Sequence, residues 1–309
     1  MRPAAIPVDA IGVIGAGAVG QAVAAALVTS GLTDRLLLAS RTIEQAAALA
    51  ADVDDMRQTL DSAVRPSSCR VTNLKDCAAV IVAVRAFFPN TLRHDVRMGG
   101  ARANAPVIVA LGEALRGYDG IVLVVTNPVD LMTRLFAEVS GCGRVYGIGS
   151  NLDTARYRLA LARLLDVSPH TVRGHVIGEH GDDSVVCASS TTIDGRHIPV
   201  PVERIRDELR TRPGQISTGV GRTRSGPAGA VLSALRKTLG VSDGIEELSA
   251  PYEGGWLGVP LRFTSGHPTV CLPDLNATEA LQFDAARTKL RAAYRTLRLP
   301  QPLNPANPL

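Results

Sequence analysis

The stretch IGVIGAGAVG, residues Ile11 to Gly20, carries the reading of the fold. Ile11–Ile14 is a short apolar run that reads as a buried strand. Ala18–Ser30 reads as a helix, and Gly31 stops it. Between them stands Gly15-Ala16-Gly17-Ala18-Val19-Gly20, a strand-to-helix turn. Gly15 permits the tight turn, Gly17 lets backbone approach a pyrophosphate, and Gly20 lets the helix pack closely on its strand. The free N–H groups at the helix start, aided by the helix dipole, are suited to phosphates. A GxGxxG pattern alone is weak evidence. In this strand-turn-helix setting it predicts a dinucleotide site.

Working outward, a second strand falls at Leu36–Ala39, and Thr42 is placed to cap a helix over Gln45–Ala51. An acid for the ribose 2′-hydroxyl is expected at the end of that strand. The chain reads Ser40-Arg41-Thr42 there instead. A carboxylate would repel a 2′-phosphate, whereas Ser40 and Arg41 suit one through charge-assisted hydrogen bonds. NADPH is therefore the expected cofactor, with NAD as the second candidate. Further strands at Val80–Val84 and Ile121–Thr126, each flanked by helical sequence, predict an α/β protein. Its first part, residues 1–148, should be a Rossmann domain with a doubly wound parallel sheet.

The second part, residues 149–309, should be an α+β substrate domain. Leu152–Leu165 looks helical, and Thr171–Ile177 and Val185–Ser189 look extended. Thr192–Ile198 contains Asp194-Gly195, a hairpin signal. Ala277–Leu297 is a long amphipathic helix, and the tail QPLNPANPL is expected to fray. The net charge of +4 is mild, and no basic run is interleaved with aromatics, which argues against a nucleic-acid partner. No apolar run reaches the roughly 18–20 residues needed to span a membrane. The N-terminal sequence lacks signal-peptide architecture. Five cysteines with no C-x-x-C pair read as reduced thiols, so a cytoplasmic location is expected.

Three further segments carry chemistry: Val125-Thr126-Asn127-Pro128-Val129-Asp130, Asn151-Leu152-Asp153-Thr154-Ala155-Arg156 and Ile177-Gly178-Glu179-His180-Gly181-Asp182. Asp153 and Arg156, three apart on a helix, share a face and can point into one site. His180 is the candidate proton donor, because imidazole titrates near neutral pH. In order and spacing, with the glycine turn in front, these segments resemble the lactate/malate dehydrogenase superfamily. The resemblance runs on through Leu257-Gly258-Val259-Pro260 to the final helix, nearly the whole chain.

That resemblance implies reduction of a 2-keto acid to an L-2-hydroxy acid by hydride transfer. It implies that Arg156 grips the substrate carboxylate and that Asp153 holds the His180 ring. Arg93 resembles the loop arginine that polarises the carbonyl. Asn127 resembles the asparagine that bonds near substrate and nicotinamide, and Thr223 falls where the family has a substrate-pocket threonine. A homodimer or homotetramer is also implied.

The chain departs from the family pattern twice. Val82-Ala83-Val84-Arg85 stands where a Thr-Ala-Gly stretch is usual, near the cofactor. Phe87 stands six residues before Arg93, where malate enzymes resembling this chain have an arginine and lactate enzymes a glutamine. A ring there points to a 2-keto acid with an apolar side chain. Two alternatives stay open. One is a malate dehydrogenase whose second carboxylate meets Arg85, Arg97 or Arg222. The other is a non-catalytic dinucleotide-binding relative.

Overall fold

The computed structural model describes residues 8–92 and 94–297. The Pro-rich tail and Arg93 lie outside the described residues. The first half contains strands β1 (Val8–Ile14), β2 (Thr33–Ala39), β3 (Arg65–Ser68), β4 (Ala79–Val82), β5 (Ile121–Val124) and β6 (Val145–Ile148). Its helices are α1 (Ala18–Val28), α2 (Ile43–Thr59), α3 (Ala101–Ala114) and α4 (Val129–Ser140). The six strands are parallel, in the order β3-β2-β1-β4-β5-β6. The chain therefore winds outward from β1 in both directions, and the strand ends leave a crevice where the order reverses. β4 and β5 are buried on every residue, as expected of strands covered on both faces.

The second half holds α5 (Ser150–Leu165), β7 (Val172–Arg173), β8 (Val176–Gly178), β9 (Ser184–Val186), β10 (Thr192–Ile193) and β11 (Arg196–His197). After these come α6 (Val202–Val220), α7 (Ser225–Thr238), β12 (Gly244–Tyr252), β13 (Gly255–Thr264), β14 (His267–Val270) and α8 (Ala277–Leu297). β12 pairs antiparallel with β6, so the parallel sheet runs on into β12, β13, β8 and β9 as one ladder. The Asp194-Gly195 turn joins β10 to β11 with positive φ at both residues, +48° and +78°. That backbone geometry is what a two-residue hairpin needs.

Several elements differ from the sequence reading. α2 runs on to Thr59, with Val53 continuing the buried face of Ala46, Leu49 and Ala50 beyond Ala51. β4 and β5 each end two residues early, which frees Ala83–Arg85 and Val125–Asn127 to line the crevice. β9 is shorter than Val185–Ser189 and starts one residue before it.

Candidate active site

At the glycine turn, Gly15 has φ +117°, a conformation that L side chains rarely adopt. A Cβ at Gly20 would fall 1.8 Å from the Gly15 carbonyl oxygen, so glycine is what lets α1 start this close to β1. A Cβ at Gly17 would meet nothing within 4 Å, which leaves open space in front of the helix start. The N-cap of α1 makes no side-chain hydrogen bond and the first turn carries no acid. Its early N–H groups are thus left for a ligand, and an anion is not repelled. Gly15, Ala16, Gly17, Ala18 and Val19 line a cleft of about 1080 Å³ that continues past Ser40, Arg41 and Asn127 to Arg156 and His180. Gly20 itself is buried and serves packing. A nicotinamide dinucleotide fits this lining: a bare cradle for its phosphates, and an orphaned acceptor, the buried Asn127 Oδ1, further along.

At the ribose end of the cleft, Ser40 is half-buried and Arg41 exposed. The Ser40 hydroxyl donates to Gln45 Oε1 at 3.1 Å. Thr42 does not line the cleft. Its hydroxyl accepts the Gln45 N–H at 3.3 Å and caps α2, the other role its position predicts.

A His–Asp–Arg group is buried at the far end of the cleft. His180 Nδ1 lies 2.5 Å from Asp153 Oδ2, and Arg156 Nη1 donates to Asp153 Oδ1 at 3.1 Å. Both Asp153 and Arg156 come from α5, three residues apart, as the sequence predicts. His180 follows β8 and packs on the backbone of Gly149, where a Cβ would lie 2.5 Å from its ring. Its backbone N–H donates to Asp130 Oδ2, at 2.9 Å, from the first turn of α4. Burial alone would raise the Asp153 carboxyl, but His180, Arg97 and Arg156 hold it well below the usual carboxylate range. Burial lowers the His180 imidazole, Arg97 and Arg156 lower it further, and Asp153 opposes them. The pair therefore rests as an ionised carboxylate beside a neutral ring whose Nδ1 proton points at it.

Burial also pushes the Asp130 carboxyl up to about 7, with Glu179 and Asp153 adding repulsion and the Ser249 and His180 contacts opposing. Its Oδ1 and the Ser249 Oγ are buried without a well-formed hydrogen bond.

The sequence reading requires a correction at Phe87. That ring is 95% exposed, whereas Phe88 turns inward and lines the cleft. Phe88 occupies the inward place because it seats on Gly100, where a Cβ would lie 2.8 Å from the ring, and because Arg85 stacks over it at 4.4 Å. Thr223 lines the cleft from the turn between α6 and α7, beside Arg222.

Three residues that the sequence did not tie to the His180 group stand close to it or to the cleft edges. Arg97 stands 4.0 Å from Asp153. Asn104 is buried in α3, accepts the Ala86 N–H and donates to the Asn127 carbonyl, so it fixes both edges of the cleft. Asp130 is the third. A lone Asn amid the apolar run of α3 is the one sequence signal that would have marked Asn104.

Comparison with known proteins agrees with this architecture. Residues 10–147 match the lactate/malate dehydrogenase NAD binding domain, and residues 150–211 match the lactate/malate dehydrogenase alpha/beta C-terminal domain. An L-lactate dehydrogenase of Lactococcus lactis is 34% identical over 190 residues, which span 60% of this chain and 60% of that enzyme's length. An L-lactate dehydrogenase of Mesoplasma florum is 27% identical over 307 residues, covering 91% of this chain and 95% of that one. Among solved structures, the lactate dehydrogenase of Cryptosporidium parvum, complexed with lactic acid and nicotinamide adenine dinucleotide, superposes with a TM-score of 0.87 at 22% identity. It covers 96% of this chain and 100% of its own. With the family's two domains matched over residues 10–147 and 150–211, well over half of its length, this chain belongs to the lactate/malate dehydrogenase family.

Proposed function

We propose that this chain is a 2-hydroxyacid dehydrogenase that reduces a 2-keto acid to its L-2-hydroxy acid and prefers NADPH to NADH. The observation that carries the reading is the buried His180–Asp153–Arg156 group at the end of a cleft that begins at the glycine turn. A reduced nicotinamide dinucleotide bound along residues 1–148 supplies the hydride. Gly15–Val19 would hold its phosphates, Ser40 and Arg41 its ribose end, and Asn127 its nicotinamide end. The half formed by residues 149–309 does the work on the substrate. Arg156 grips the carboxylate, with its planar fork held in place by Asp153. Arrival of that anion beside His180 favours the imidazolium, which burial, Arg97 and Arg156 otherwise disfavour. His180 then delivers a proton to the substrate oxygen as the carbon is reduced, and Asp153 stabilises the charged ring. Arg93 is the proposed group for polarising the carbonyl, and Thr223 a proposed pocket residue. A homodimer or homotetramer is part of the same proposal.

For the side chain of the substrate, Phe88, Val96, Leu152 and Pro227 offer apolar lining. Full burial of a leucine-sized group gives about 2 kcal/mol. A malate dehydrogenase is the second reading. It is favoured by Arg85 and Arg222, which line the same cleft and have no carboxylate partner among the described residues. Both are exposed at the cleft edge, where an ion pair is worth about 0–1 kcal/mol. The balance therefore favours an apolar side chain.

The test is a screen for NADPH and NADH oxidation with pyruvate, 2-ketoisocaproate, phenylpyruvate and oxaloacetate. The expected result is a higher kcat/KM for NADPH and for the apolar keto acids. Arg41→Ala should erode the NADPH rate far more than the NADH rate. Faster use of NADH by the unmodified protein overturns the cofactor reading, and a preference for oxaloacetate overturns the substrate reading.

A further inference from the structure

We infer that Lys289 is a positioning residue for the acid–base pair: from α8 it tethers Asp95 to the His180 segment and so keeps the Arg97 guanidinium beside Asp153. Lys289 Nζ donates to three carboxylates, Asp95 Oδ1 at 2.8 Å, Glu179 Oε2 at 2.9 Å and Asp183 Oδ2 at 2.7 Å. These three carboxylates come from two separate segments, and their oxygens converge within 4.8 Å of one another. Three like charges at that spacing repel, so the ammonium is what lets the segments meet. Burial by itself would lower the Lys289 ammonium, but its bonds to Asp183, Asp95 and Glu179 raise it. It therefore stays charged through the neutral range.

The tether has a second strand. The Asp95 backbone N–H donates to Asp182 Oδ2 at 2.9 Å. Asp95 takes a φ of +48°, uncommon for a residue with a side chain, and its carbonyl accepts the Met98 N–H at 2.8 Å. The intervening turn carries Arg97, whose Nη2 stands 4.0 Å from Asp153 Oδ1. Arg97, which stands just before a 3-10 turn over Met98–Gly100 that leads into α3, is thus aimed at the carboxylate that orients His180.

The groups facing His180 are Asp153 and Arg156 from α5, Arg97 from the tethered turn and Asp130 from α4. Glu179 precedes it, with Lys289, Asp95, Asp182 and Asp183 behind. Arg97 opposes protonation of the ring. Release of Arg97 should therefore let His180 keep its proton to higher pH.

The test is a titration of His180 in the full chain by NMR of carbon-13-labelled histidine, with His180→Gln identifying the resonance. Asp95→Asn is the decisive variant, because two effects have opposite signs. Direct loss of a negative charge makes His180 easier to deprotonate and lowers its midpoint. Release of the tether frees Arg97 and raises it. The expected result is a rise of about half a pH unit, the scale of one partly screened charge at short range. Arg97→Met, which lacks the opposing loss of a negative charge, should give a rise at least as large, Asp95→Asn combined with Arg97→Met should give no more than Arg97→Met alone, and Lys289→Arg should leave the midpoint unchanged. An unchanged or lowered midpoint in Asp95→Asn overturns the inference, as do additive shifts in the double variant. The inference takes His180 as the proton carrier from the proposed reaction. The titration needs no turnover, so failure of either reading leaves the other standing.

Discussion

Asp130→Asn should make the protein more stable in alkali than in mild acid, relative to its parent. Asp130 is 2% exposed, and burial raises its carboxyl to about 7. In the unfolded chain an aspartate titrates near ~4. The folded state therefore binds this proton more tightly than the unfolded state does. The linkage stabilises the fold fully below about pH 4 and is lost as pH rises through about 7. The gap is about three pH units at ~1.4 kcal/mol each, or about 4 kcal/mol between the two extremes. Asparagine has the same shape, stays neutral throughout and can still accept the His180 N–H through its amide oxygen. Groups common to both proteins cancel in the difference. Urea unfolding of both at pH 5 and pH 8.5 should show the variant gaining about 2–4 kcal/mol on its parent across that range. A difference that stays flat with pH would falsify the reasoning, because Asp130 would then be ionised, or equally proton-bound in both states, over the whole window.

His180→Gln should slow reduction by ~100-fold or more while leaving dinucleotide affinity, read by fluorescence titration, near normal. A near-normal rate removes His180 as proton donor. Phe88→Ala should raise KM for 2-ketoisocaproate roughly tenfold, since a buried aromatic contact of about 1.5 kcal/mol is lost, and Phe87→Ala should leave it unchanged. The opposite ranking would put the exposed ring in the pocket. Gly20→Ala drives a Cβ to within 1.8 Å of the Gly15 carbonyl oxygen. Forced overpacking of this kind costs about 1–3 kcal/mol, so a lower Tm and weaker NADPH binding are expected. An unaltered variant would mean that α1 does not need its close approach to β1.

The parts legible in the sequence are those that local chemistry decides. Gly15, Gly17 and Gly20 are readable because each answers a backbone constraint within one turn. Asp153 and Arg156 are readable because a helix turn sets their spacing. The helix α6 carries no such signal. Pro213 and Gly214 interrupt it in sequence, and only Ile205 and Leu209 are buried, so its apolar period is too thin to recognise. The choice between Phe87 and Phe88 was equally hidden. An irregular segment has no periodicity, and the deciding contact, Phe88 on Gly100, spans twelve positions of chain. Arg97 and Lys289 meet the site only through contacts between distant segments, Lys289 from 194 positions beyond Asp95. No spacing rule reaches that far.

The join between the two halves limits how this molecule can move. Gly147 and Ile148 of β6 are registered against Ser249 and Leu248 of β12. A Cβ at Gly147 would fall 2.5 Å from Thr133 Oγ1 and 2.7 Å from the Ser249 Cβ, so the seam has no slack. A hinge there would have to break ladder hydrogen bonds in the middle of a buried sheet. Opening of the cleft should thereby be confined to surface segments, with both halves unfolding as one cooperative unit. Amide hydrogens of β6 and β12 should exchange together, at the rate of global unfolding. A protease that cuts near the 148–149 junction should find no stable fragment to release, only the whole chain or peptides.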